Sequence, residues 1–117
     1  PNKIEASTKI TGEIKSNADF RIDGYLNGSI TTSGKVVIGK EGVIEGSIKC
    51  LNADIEGKFS GKIEVDEVLN LKSTAIIDGE VKISKLIVQA GASFNAKCSM
   101  KNSTEVKSIT ENREKTA

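Results

Sequence analysis

The strongest constraint on this chain is a repeat. An apolar residue, a glycine two places on and a second apolar residue two further recur at Ile10-Gly12-Ile14, Leu26-Gly28-Ile30, Ile44-Gly46-Ile48, Phe59-Gly61-Ile63 and Ile77-Gly79-Val81. A weaker copy, Phe94-Ala96-Cys98, closes the series, and the central small residues are 16, 18, 15, 18 and 17 positions apart. Two copies are doubled: Ile22-Gly24-Leu26-Gly28-Ile30 and Ile55-Gly57-Phe59-Gly61-Ile63 keep strict alternation through both glycines. Side chains that alternate with period two belong to strands. A coil near 17 residues is too short for a strand-helix repeat and suits three short strands joined by tight corners.

The fold class that follows is all-β: a single three-sided parallel β-helix of about six short coils. Each coil satisfies its backbone groups by pairing with the coils above and below, at about 4.8 Å per step. Glycine on the apolar register is read as a packing residue that leaves room in a narrow interior for a neighbouring Ile or Phe. The solenoid is expected over residues 10–100. The polar stretches 1–9 and 101–117 are expected as flexible tails, since they carry too few apolar residues to bury.

Composition narrows the function. Ile and Val dominate the apolar set while aromatics make up 3% of the 117 residues, which favours strands. Seventeen Lys plus Arg against 16 Asp plus Glu leave a net charge of +1 without a basic cluster, so nucleic acid is not an expected partner. Cys50 and Cys98 fall at inward positions and are expected as buried thiols of a reducing compartment. With no apolar run of membrane-spanning length and no secretory signal, the chain is expected to be soluble and cytoplasmic.

The absence of histidine removes Ser–His and Cys–His nucleophile systems and most zinc sites, and with them the short-coil acyltransferases that use a histidine base. No catalytic, cofactor-binding or metal residue is assigned. The segment Gly34-Lys35-Val36-Val37-Ile38-Gly39-Lys40-Glu41 matches a phosphate-binding loop except at its last position. There Glu41 replaces the hydroxyl residue that would hold magnesium, and Val36 and Ile38 fit a strand. Acidic residues before glycine, Asp23, Glu45, Glu56 and Asp78, are read as a solvated ladder rather than a cation site. Thr11, Thr31, Thr32 and Thr74 do not form the regular row of an ice-binding face.

A β-helix, unlike a closed barrel, has two free edges. Neither terminal stretch offers a capping helix, and the end coils carry Ile10 and Ile14 at one end and Phe94, Cys98 and Met100 at the other. Stacking between subunits would continue the sheet, so self-assembly is expected. Phe94 and Met100, with Ile10 and Ile14, are the candidate polymer contacts. Tyr25, of opposite parity to the core residue Phe20, is the candidate lateral contact. The rival reading is a monomeric module whose flat faces bind polysaccharide or protein.

The stretch Ser16-Asn17-Ala18-Asp19-Phe20-Arg21-Ile22-Asp23-Gly24-Tyr25-Leu26-Asn27-Gly28-Ser29-Ile30, followed by Gly34-Lys35-Val36-Val37-Ile38-Gly39, resembles the bactofilin signature. Ala75-Ile76-Ile77-Asp78-Gly79-Glu80-Val81 and Ala92-Ser93-Phe94 agree with it, so the resemblance covers residues 10–100. It implies a right-handed triangular β-helix and a cytoskeletal protein that polymerises without nucleotide or other cofactor. The implied filaments are non-polar, with head-to-head and tail-to-tail contacts, and serve cell shape, cell-wall synthesis or protein positioning. It also implies cell-wall enzymes as partners and, in many members, inner-membrane binding through a short apolar N-terminal segment, which is not present here.

Overall fold

The computed structural model describes residues 2–100, without the side chains of Ser99 and Met100. The stretch 101–117, expected as a tail, lies outside the described residues. Nine strands follow one another: β1 (Asn2–Ile4), β2 (Lys9–Ser16), β3 (Phe20–Ile22), β4 (Tyr25–Thr32), β5 (Lys35–Ile38), β6 (Val43–Ile55), β7 (Lys58–Leu71), β8 (Ile76–Val88) and β9 (Ser93–Met100). Every pairing between them is parallel and joins one turn of the chain to the next, so the molecule is a parallel β-solenoid of about six turns.

Two shorter inward rows, one of Val36, Ala53, Leu69 and Leu86 and one of Cys50, Val65 and Ile83, complete a core built on three rows that run its whole length. The first of these three is Ile10, Leu26, Ile44, Phe59, Ile77 and Phe94, the second Ile14, Ile30, Ile48, Ile63, Val81 and Cys98, and the third Ile4, Ile22, Ile38, Ile55, Leu71 and Val88. Away from the ends these side chains are buried. Each residue stacks on its counterpart one coil away, and β-branched side chains suit that surface. The sequence periodicity therefore specifies the register: slipping by one residue would turn every row outward.

Uneven coil lengths arise at two corners. Between the third row and the next coil the chain turns either through two residues, as at Asp23-Gly24 and Glu56-Gly57, or through four. The four-residue turns are closed by Thr8 N–H to Glu5 O, Gly42 to Gly39, Ala75 to Lys72 and Ala92 to Gln89. Between the second row and the third, the register shifts at Cys50/Asn52 and Val65/Val68 absorb a residue. The strands stay aligned while the corners change length.

Three expectations need correction. The solenoid does not start at Ile10: Asn2–Ile4 pairs with Phe20–Ile22, and Ile4 packs into the core at 5% exposure. A three-residue strand with a single aliphatic is enough where a preformed edge receives it. Second, the glycines at the repeat centres are not interior space-makers. Gly12, Gly28, Gly46, Gly61 and Gly79 hold φ between 131° and 145°, at a corner between two faces, and none of them is buried. At Gly28, Gly46, Gly61 and Gly79 a Cβ would run into the backbone of the glycine one coil earlier. Third, Cys50 is buried but Cys98 is exposed. Cys98 stands opposite Val81 in the second row, and no further described coil covers it.

Candidate polymerisation surfaces

The two ends of the solenoid are built from the core rows themselves. At one end β1 and β2 have β3 and β4 as their strand partners, which leaves their outer edges unpaired among the described residues. At the other, among the described residues, β9 pairs with β8 alone, and Lys85–Val88 at the end of β8 pairs only with β7. The inward rows run out at these edges. Leu26, Ile30 and Ile77 are fully covered, whereas Ile10, Ile14 and Phe94, in the same rows one coil outward, are half-buried. Gly12 shows the same step: its column neighbours press against backbone, but nothing lies within 4 Å of the Cβ it would carry.

Each sequence-assigned contact residue has a defined place. Ile10 and Ile14 lie together on β2, and Phe94 lies on β9 opposite Ile77. Met100 stands in β9 opposite Ile83, and its side chain is outside the description. Val88, Ala92 and Ala96 also border the core at the Phe94 end and were not singled out from sequence. Val88 extends the third row and its signal was available, whereas Ala96 continues the glycine column opposite Gly79 and Ala92 lies in the turn closed on Gln89. The exposed edges hold no inward charge and no proline among the described residues, two devices that commonly blunt a strand edge.

Tyr25 points outward, as its parity requires. Its hydroxyl donates to Glu45 Oε1 at 2.7 Å and accepts from Asn27 Nδ2 at 3.4 Å, while the Lys9 ammonium sits 5.3 Å from the ring centre. The bond to Glu45 is the main cause that pushes the Tyr25 hydroxyl above its ordinary pKa. It stands one coil in from the Ile10–Ile14 edge, opposite Lys9 of β2, anchored by its own subunit.

The phosphate-loop match dissolves in the structure. Lys35–Ile38 is β5 with Val36 and Ile38 fully buried, Gly39–Gly42 is a tight turn, and Lys35 pairs with Asp54 at 2.9 Å. The four acidic residues before glycine fall in two different columns. Glu45 and Asp78 alternate with Asn27, Ser60 and Asn95, while Asp23 lies beside Gly39 and is paired with Arg21 at 3.0 Å. Neither column is a run of carboxylates. Among the described residues no helix is long and apolar enough to cross a membrane.

A family model described as bactofilin, polymer-forming cytoskeletal, matches residues 2–99. The chain belongs to the bactofilin family. This bactofilin is 30% identical over 97 residues to Bactofilin BacO of Myxococcus xanthus, an alignment that takes in 83% of this chain and 77% of the relative. It is 26% identical to Bactofilin BacP of the same organism over 83% of this chain, spanning 40% of that longer relative. Among solved structures it is similar to the bactofilin of Thermus thermophilus in double helical filaments. The TM-score is 0.79 at 26% identity, over 86% of this chain and all of that one. The β-solenoid is thus the family's fold, and the bactofilin is a polymer-forming cytoskeletal protein.

Proposed function

We propose that this bactofilin is a non-enzymatic cytoplasmic scaffold subunit that polymerises without nucleotide by stacking its end coils, one through Ile10 and Ile14 and the other through Phe94 and Met100. The observation that carries the reading is the half-burial of Ile10, Ile14 and Phe94 in rows whose next members inward are fully covered. A second subunit laid on either edge would complete the rows and pair the open strand edge in one step. The reading takes the filament as non-polar, each end meeting its own kind, because an isologous junction needs only that an end be complementary to itself. Cell shape, cell-wall synthesis or protein positioning, with cell-wall enzymes as riders, are the roles such a scaffold would serve.

Electron microscopy of the purified chain in buffer free of nucleotide and metal tests this reading. Thin filaments are expected. Phe94→Arg places an unpaired charge in the desolvated junction, at a cost of about 3–5 kcal/mol, and should arrest growth at small species. Filaments of normal length from folded Phe94→Arg protein, or a wild-type chain that elutes as a monomer, would overturn the reading and leave the binding module standing.

A further inference from the structure

One face of the rod carries charge in a self-complementary order. It is the face that follows the glycine corner, where each coil presents two outward side chains on either side of the inward residue of the second row. In the first coil these are Glu13 and Lys15, in the fourth Lys62 and Glu64, in the fifth Glu80 and Lys82. The second coil offers the hydroxyls Ser29 and Thr31, the third Ser47 and Lys49. The two outward rows are walls of a trough of about 620 Å³ whose floor includes Ile48, Ile63 and Val81. No coil of this face puts like charges at its two outward positions. The face before the glycine corner has no such order: its coils set Lys9 beside Thr11, Lys58 beside Ser60 and Ile76 beside Asp78.

We infer that this face is the lateral contact between two filaments, its occupant being the same face of a second copy related by a two-fold axis parallel to the rod. Such an axis sets the first outward position of every coil against the second outward position of the same coil in the partner. Glu13 then meets Lys15, Lys62 meets Glu64 and Glu80 meets Lys82, each twice, while Lys49 meets a serine. Wall lies on wall, and the trough floors leave a hydrated channel between them.

Register is specified as well as attraction. A slip of one coil would place Lys62 against Lys82, Lys49 against Lys62, Lys82 against Lys97 and Glu64 against Glu80, four like-charge contacts where the in-register pairing has none. Glu64 already bonds Lys49 of its own subunit at 3.4 Å, and a carboxylate has acceptor capacity for a second cation. Single exposed ion pairs are weak, so this contact gains force only when repeated along a polymer. The inference therefore rests on the end-to-end reading.

Filament width tests the lateral contact separately from filament length, which reports the ends. In wild-type protein, paired filaments are expected at low ionic strength and single ones at about 0.5 M salt, where the screening length falls below about 5 Å. Lys62→Glu should lower the paired fraction at low salt by about tenfold or more while leaving length unchanged. The exchange Lys62→Glu with Glu64→Lys should restore pairing, because the two-fold sets the new glutamate against the new lysine. Glu80→Lys, alone and with Lys82→Glu, repeats the comparison at an independent coil. An antiparallel arrangement that set position 64 against Lys49 would set position 62 against Ser47, so there Lys62→Glu alone would leave pairing unchanged and the exchange at 62 and 64 would weaken it. Wild-type filaments that stay single at low salt, single reversals that pair normally, or exchanges that fail to restore pairing would overturn the proposal. Loss of filaments of any width from folded wild-type protein would instead count against the end-to-end reading.

Discussion

Gly46 lies directly on Gly28: a methyl group on the Gly46 Cα would run into the Gly28 carbonyl oxygen, with the carbonyl carbon at 2.8 Å. The two hold φ of 142° and 145°, which L side chains rarely adopt. The same relation links successive members of the column until Gly12, where the space is open.

Gly46→Ala and Gly12→Ala should therefore separate two effects. At Gly12 only the backbone conformation is strained, about 1–2 kcal/mol. At Gly46 the added carbon must also push two coils apart, and about 3 kcal/mol or more is expected. Denaturation in the monomeric background that carries both Phe94→Arg and Ile14→Arg, where melting reads the fold and no junction, should show Gly46→Ala well below Gly12→Ala. Equal losses would mean that stacking does not set the glycine requirement.

Among the described residues Thr32 is the buried polar side chain, at 4% exposure. Its hydroxyl donates to Ala18 O at 2.6 Å and accepts from Gly34 N–H at 3.1 Å, which ties the second-to-third-row corner of one coil to that of the coil below. Thr32→Val keeps the shape but strands a backbone donor and acceptor, with an expected loss of about 2–3 kcal/mol, whereas Thr32→Ser should lose about 1 kcal/mol or less. Chemical denaturation of the pair checks this, and a Thr32→Val protein as stable as the serine variant would show that water replaces the hydroxyl.

The rows and their register were legible in the sequence because alternation with period two leaves little freedom: Leu26, Ile44 and Phe59 could only stack. Tyr25 was legible for the same reason. What escaped depends on tertiary context. Asn2–Ile4 reads as polar tail because its strand is held by β3 rather than by its own composition. The glycine column looks like interior packing because parity alone cannot report a positive φ. Cys98 has the same local pattern as Ile63 or Val81, and its exposure comes from being the last of the row among the described residues. The half-burial of Ile10, Ile14 and Phe94 was legible, since each is where a row stops, but Ile4 at one end and Val88 at the other were not singled out.

The two thiols should behave differently. Cys50 is 1% exposed, its Sγ lies 3.2 Å from Asn52 O, and burial pushes its pKa from 9.0 up to about 12. It should resist thiol reagents in the folded protein, while Cys98 labels readily in Phe94→Arg protein and slowly in filaments, where a stacked coil would cover it. Because the folded pKa is the raised one, the contribution of Cys50 to stability is intact below pH 9.0 and declines as pH rises towards about 12. Cys50→Ala should remove that part of the alkaline destabilisation. Labelling of Cys98 at one rate in both states would place it outside the junction.

Blocking one end at a time distinguishes the two ways of stacking. If each end meets its own kind, Phe94→Arg leaves the Ile10–Ile14 junction intact and growth stops at dimers, and Ile14→Arg likewise stops at dimers joined through the other end. If unlike ends meet, either substitution leaves monomers, and mixing the two variants restores a single junction per pair and yields dimers. The double variant is monomeric on both schemes and serves as the size standard. Dimers from each single variant are the expected outcome by analytical ultracentrifugation. Monomers that dimerise only on mixing would require a polar filament, with Phe94 lying against the Ile10–Ile14 edge of the next subunit.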